Sequence, residues 1–249
     1  MGKIINIFDA YKLAKEVDSF HSFSLEYSCS HFIEHDEPDD YVMQVRGKIL
    51  HDRILPTETL KEICGRFICR IVNIQHADND GVSTFDVFDS EAELFSIYEN
   101  IFDADTEDYN SKINDLFHGD IYGHNILVID RVDILPNYRG HKLGLAVVNE
   151  LIQILGIGCG LVACVIDPVN WEVVHDDKEY NQWILDMKPS SFISDEVQAR
   201  VNLSKYFGRL GFVQVNNSPL HVLSTAFNMP TNKDIGFENW IENEYDNLR

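Results

Sequence analysis

The stretch from Asn125 to Ile166 constrains the fold more than any other part of this chain. The run Asn125-Ile-Leu-Val-Ile-Asp-Arg-Val-Asp-Ile-Leu135 is rich in β-formers, and Pro136 ends it. A turn follows over 136–141. Leu143, Val147, Leu151, Ile154 and Leu155 then recur at helical spacing, which predicts an amphipathic helix of about four turns. Gly156, Gly158 and Gly160 stop it. Leu161-Val-Ala-Cys-Val-Ile166 is a short, continuous apolar run, the pattern of a central strand covered on both faces, and Asp167-Pro168 closes it. Strand, helix, strand in this order is a βαβ unit, so the two strands are expected to be parallel.

Other segments fit around this unit. Residues 9–20 have helical spacing with Asp9 as N-cap. Residues 41–50 and 67–74 read as strands, the second with a buried helix as an alternative. Residues 90–102 predict a helix with Ser90 as cap, Glu93 completing a capping box, and Leu94, Ile97, Tyr98 and Ile101 on one face. The segment 168–194 is less regular. Asp195 with Gln198 starts a further helix that carries Val197, Val201, Tyr206, Phe207 and Leu210 and ends at Gly211. Phe212–Val215 and His221–Phe227 read as an antiparallel strand pair. The tail 237–248 has a helix-spaced apolar face. Acidic clusters at 34–40, 103–108 and 176–179 read as loops or solvated turns.

A net charge of −21 argues against nucleic acid and against anionic lipid as partners, because both need a surplus of Lys and Arg. It would attract cationic ligands. No run approaches the about 18 apolar residues of a membrane span, and no signal peptide is evident, so a cytoplasmic location is expected. The five cysteines are odd in number and form no Cys-x-x-Cys pair, so reduced thiols are expected, with Cys159 and Cys164 buried. His31 and His35 stand four apart, but His-Phe-Ile-Glu-His lacks the Glu at its second position that the metalloprotease motif requires, and no metal site is expected.

The turn carries the chemistry. Arg139-Gly140-His141-Lys142-Leu143-Gly144 opens a helix directly after a strand, where unsatisfied amides and the helix dipole favour an anion. Three basic side chains in an acidic protein strengthen that reading. The same glycines would also serve an ordinary turn with no ligand.

Val132-Asp-Ile-Leu-Pro-Asn-Tyr-Arg-Gly-His-Lys-Leu-Gly-Leu-Ala-Val-Val148 resembles motif A of the GCN5-related N-acetyltransferase superfamily, Arg/Gln-x-x-Gly-x-Gly/Ala. Arg139 fills its first position and Gly144 its last. Lys142 stands where the middle Gly is usual. Leu203-Ser-Lys-Tyr206-Phe207-Gly-Arg-Leu-Gly211-Phe212 resembles that family's motif B. The two motifs and the strand between them cover roughly 125–215. The spacing exceeds the family's usual one, which makes 168–194 an insertion.

The resemblance implies one domain over 1–249 with a mixed α/β sheet, helices on both faces and splayed parallel strands at the cofactor site. Helices and strands would fill 1–120, an acetyl-CoA-binding core 121–215, and a C-terminal strand and helix 216–249. It implies acetyl transfer from acetyl-CoA to a primary amine of a small molecule or peptide by direct attack, and the acidic surface favours a cationic acceptor. Diphosphate would sit on the amides of Gly140, His141, Lys142, Leu143, Gly144 and Leu145, with Arg139 also a cofactor-binding candidate. The pantetheine arm would pair with a bulge mapped to Val132, Asp133 and Ile134. The family's thiolate-stabilising tyrosine falls at Phe207, so Tyr206 is the candidate for that role. Asp130 and Asp133 are candidate bases. Strand alternation would put them on opposite faces, with Asp130, clear of the bulge, preferred. His118 and His124 are alternative bases. The competing readings are a non-catalytic acyl-CoA-binding module of the same fold, which Phe207 keeps open, and an unrelated α/β protein with an anion-binding turn.

Overall fold

In the computed structural model the described residues are 20–31, 34–35, 37–55, 57–166, 178–188 and 195–237. Their backbone is organised by one seven-stranded sheet in the order β1-β2-β3-β4-β5-β7-β6. Strands β1 (Phe20–Cys29), β2 (Val42–Ile54), β3 (Thr59–Val72) and β4 (Asn125–Ile134) form an antiparallel meander. Strand β5 (Cys159–Val165) lies parallel to β4, as the βαβ pattern requires. Strands β6 (Val213–Gln214) and β7 (Leu220–Ser224) complete the sheet antiparallel to one another, with β7 beside β5.

Helices cover both faces. Four short ones lie on one side: α1 (Ile74–Asp80), α2 (Thr84–Asp89), α3 (Ala92–Ile101) and α4 (Ser111–Leu116). They bury Ile74, Val87, Phe88, Leu94, Ile97, Ile101 and Ile113 against Val72, Ile126, Val128, Leu161 and Ala163. On the opposite face α5 (Leu143–Leu155) buries Leu143, Leu145, Val147, Val148, Leu151 and Ile152 against Phe67, Cys69, Leu127, Ile129 and Val162. Each such side chain contributes about 1.5–3 kcal/mol. That far exceeds the about 1 kcal/mol a cap supplies, so α5 persists although Lys142 at its N-cap offers no side-chain acceptor. The apolar run of β5 is explained by the same two layers. Leu161 and Ala163 serve one core while Val162 and Cys164 serve the other.

Several sequence expectations need correction. Phe20, expected to end a helix over 9–20, and residues 21–29, which the pattern did not mark, form a strand, because β2 offers ten residues of partner. Ser90 does not cap α3. It ends α2, its hydroxyl donating to the Val87 carbonyl, and Glu91 precedes α3 without a side-chain cap bond. Residues 178–186, within the segment read as irregular, form helix α6 (Lys178–Asp186) with Trp183 and Ile184 buried. Helix α7 (Glu196–Phe207) does start at Asp195, whose carboxylate accepts from the Gln198 amide at 3.2 Å. Yet α7 buries no residue fully, and Val197 is 72% exposed. Only Leu203, Tyr206 and Phe207 lean on the core. The expected helix over 9–20, apart from Phe20, and the tail beyond residue 237 lie outside the described residues. No helix among the described residues is long and apolar enough to cross a membrane.

Candidate active site

Strands β4 and β5 are paired only from Asn125↔Cys159 to Val128↔Ala163. Beyond that point β5 follows β7 up to Val165↔Leu220, while β4 follows β3 up to Ile134↔Gly65. The two parallel strands therefore part. Residues 129–134 keep one edge on β3, and among the described residues no strand pairs along the other.

A bulge sits at the parting point. Ile129 is paired with Cys69 and Arg131 with Ile68, which leaves Asp130 as the extra residue. This corrects two expectations. Val132, Asp133 and Ile134 are regularly paired with Phe67, Arg66 and Gly65 and form no bulge. Asp130, expected clear of it, is the bulge. The inserted residue also resets the alternation. Asp133 stands opposite Arg66, and Asp130 bonds Arg70; Arg66 and Arg70 share a face of β3, so both carboxylates lie on one face of the sheet.

The two aspartates are engaged differently. Asp133 is buried, accepts from Arg131 Nε at 2.8 and 3.0 Å and from Trp183 Nε1 at 3.1 Å, and so anchors α6 to the sheet. Arg66 lies over the Trp183 ring, 4.4 Å from its centre. Asp130 accepts from Arg70, whose Nε reaches both carboxylate oxygens at 3.0 and 3.1 Å, and Arg70 also pairs with Glu91. The Asp130 side chain is only 20% exposed although the residue as a whole is exposed, so its exposure lies on the backbone, along the open edge. Burial pushes its pKa above the ordinary carboxylate range. Arg70 opposes the shift, and Glu91 and Glu93 add to it.

Asp130 lines a cleft of about 590 Å³ with Gln44, Arg70, Glu91, Glu93 and Ser96. Ile129 of β4 and Val165 of β5 also line it, so the cleft straddles the parting strands. A second cleft of about 510 Å³ on the same face holds Arg46, Lys48, Arg66, Arg131, Tyr180 and Trp183. The sequence signal for Arg70 was a lone charge inside the apolar run 67–72. Its partners Glu91 and Asp130 are distant in sequence, so their pairing with Arg70 gave no signal, although Asp130 was itself a candidate base.

Across the sheet, the turn at 139–144 leads into α5. Gly140 has φ +88° and Lys142 has φ 63°, ψ 18°. Lys142 thus adopts the left-handed conformation that the glycine usual at this place in motif A would favour. Among the described residues, no acceptor is found for the amides of Gly140, Lys142, Leu143 or Gly144. The Leu145 amide, expected to be free, is taken: it donates to the Lys142 carbonyl at 3.0 Å and to the Tyr206 hydroxyl at 3.1 Å. The Arg139 guanidinium does not face the turn either. It donates to the carbonyls of Ile134 at 2.7 Å and Met187 at 2.8 Å. His141 is exposed.

Tyr206 reaches this turn and Phe207 does not. The Phe207 ring packs edge-on against Phe212 at 5.7 Å. A Cβ placed on Gly144 would stand 3.0 Å from the Tyr206 hydroxyl. Burial raises the Tyr206 pKa, with Leu145 N–H and Arg209 opposing, so the hydroxyl keeps its proton at neutral pH. Four of the five cysteines are buried. Burial pushes the Cys64 thiol up to about 12 and Cys159 up to about 11, with Cys69 and Cys164 raised as well. None of those four is a thiolate nucleophile at neutral pH. His118 and His124 are exposed.

Comparisons of the chain with protein-family models, with curated proteins and with solved structures return no match.

Proposed function

We propose that this chain has the GCN5-related N-acetyltransferase fold and moves an acetyl group from acetyl-CoA to a primary amine of a small molecule or peptide. The observation that carries the reading is the parting of β4 and β5, with an acidic cleft astride the gap and, beyond it, the amides of Gly140, Lys142, Leu143 and Gly144, for which no acceptor is found among the described residues.

The residues suit the donor. The amides of Gly140, Lys142, Leu143 and Gly144 offer hydrogen bonds to a diphosphate where the helix dipole is positive. The edge of residues 129–134 away from β3, along which no described strand pairs, offers main-chain groups to an extended amide-bearing arm. The donor, when bound, supplies an activated carbonyl and a thiol leaving group.

Asp130, Glu91 and Glu93 attract an ammonium into the cleft. Asp130 then takes its proton, directly or through water, and burial raises the Asp130 pKa from the ordinary carboxylate range toward that of a general base. Asp133 is the weaker candidate because it lines the other cleft, where Arg131 and Trp183 hold it, and not the acidic one. The freed amine adds to the carbonyl, the C–S bond breaks, and Tyr206 gives its proton to the departing sulfur. The nitrogen of the adduct loses its second proton to solvent as the amide forms, Tyr206 regains its proton from solvent, and Asp130 releases the first. The Tyr206 hydroxyl accepts from Leu145 N–H, and no acceptor for its own proton is found among the described residues.

The test is thiol release from acetyl-CoA in the presence of a panel of mono- and polycationic amines, read beside acetyl-CoA binding by calorimetry. Release with at least one amine is expected. Binding without release across the panel would favour the non-catalytic acyl-CoA module, and absence of binding would overturn both.

A further inference from the structure

Two histidines of the loop after β1 meet a third from α1. His31 Nε2 and His35 Nε2 are 3.2 Å apart. One ligand nitrogen from each of His31, His35 and His76 lies within 4.8 Å of the other two. In a tetrahedral zinc site with Zn–N bonds of about 2.0–2.1 Å, neighbouring nitrogens are about 3.3 Å apart. The His31–His35 separation already matches that edge, and a ligand nitrogen of His76 lies within 4.8 Å of both.

The surroundings hold the rings in place. His35 stacks on Tyr41 with centroids 5.0 Å apart and meets His76 edge-on at 4.6 Å. Tyr41 is buried, so His35 rests on a fixed wall. The Tyr41 hydroxyl donates to Asp80 Oδ2 at 2.9 Å, and the same oxygen is 3.4 Å from His76 Nε2. A carboxylate on one imidazole nitrogen orients the ring and leaves Nδ1 for an ion, as in carboxylate–histidine–zinc arrangements.

From this geometry we propose that His31, His35 and His76 bind a borderline divalent transition-metal ion, zinc in the first place, with solvent in the fourth position. Three imidazoles without sulfur or a carboxylate cage suit zinc rather than calcium or magnesium. The ion joins the β1–β2 loop to the helix that follows β3. Spacing alone hid the site, because the pair His31 and His35 becomes a triad only when the sheet brings α1 beside the loop. The proposal is independent of the acyltransferase reading.

The experiment uses the full chain, stripped with a chelator, equilibrated with zinc and separated by gel filtration before metal analysis. About one zinc per chain is expected, with the midpoint of thermal unfolding raised by on the order of 5 °C at free zinc about a hundred-fold above Kd. His31→Ala, at an exposed position, should abolish retention while leaving the metal-free midpoint unchanged. Asp80→Asn should weaken affinity by about 10–100-fold, and His118→Ala should retain the ion. Cobalt should give a tetrahedral visible spectrum without a thiolate band. No uptake, uptake unchanged in His31→Ala and His76→Ala, or a thiolate band pointing to Cys29 would each overturn the site.

Discussion

Lys142 tests the shape of the turn without reference to any ligand. Its φ of 63° and ψ of 18° place it in the left-handed region. There a side chain with a Cβ costs about 1–2 kcal/mol. Glycine removes that cost but loses about 0.4–1 kcal/mol through its freer unfolded chain. The net gain is about 1 kcal/mol. Lys142→Gly alone would also lose the packing of the lysine chain over Gly236. The informative comparison is therefore Lys142→Gly against Lys142→Ala, which both lack that chain and differ only in backbone preference. We expect the glycine variant to be about 1 kcal/mol more stable than the alanine variant, equivalent to a thermal midpoint about 2–4 °C higher. Urea unfolding with equal m-values for the two variants is the assay. Equal stability, or a more stable alanine variant, would mean that residue 142 is not left-handed and that the turn lacks the backbone path proposed for diphosphate binding.

The other predictions concern the same site and the edge of the sheet. Gly144→Leu places a Cβ 3.0 Å from the Tyr206 hydroxyl and its branches over the turn. CoA affinity measured by calorimetry should fall at least about ten-fold, and normal affinity would remove this turn from the cofactor site. Tyr206→Phe should lower kcat by about 100-fold or more with CoA affinity nearly unchanged, and an unchanged rate would exclude Tyr206 as proton donor. His21 Nδ1 and His51 Nε2 are 3.0 Å apart, and both imidazoles have lowered pKa values. Burial is the first cause for each. His51 and Arg53 add to it at His21, while Glu62 and Asp52 partly oppose it at His51. A folded-state pKa below the unfolded value means that this stability is present above about pH 6.5 and is lost as pH falls through the folded value. Stability should drop as pH falls below about 6.5, and His51→Gln should flatten that slope. An unchanged slope would assign the acid sensitivity elsewhere.

Periodicity, punctuation and capping are short-range properties, and they determined the elements from Asn125 to Ile166, the parallel pairing they require and the start of α7 at Asp195. Composition alone set the acidic surface. The sequence could also locate the turn, because a helix start after a strand is a local event. Tertiary structure decided what each site residue does. The extra residue at Asp130 exists only in register with β3, and that register brings Asp130 and Asp133 to one face against the alternation of their own strand. Arg70 and Glu91 on Asp130, Trp183 on Asp133, and Tyr206 rather than Phe207 at the turn are contacts between segments far apart in the chain. His76 joins His31 and His35 for the same reason. A local pattern fixes which side of its own element a residue occupies. Packing among distant elements fixes what it meets there, and therefore its charge state and its chemistry.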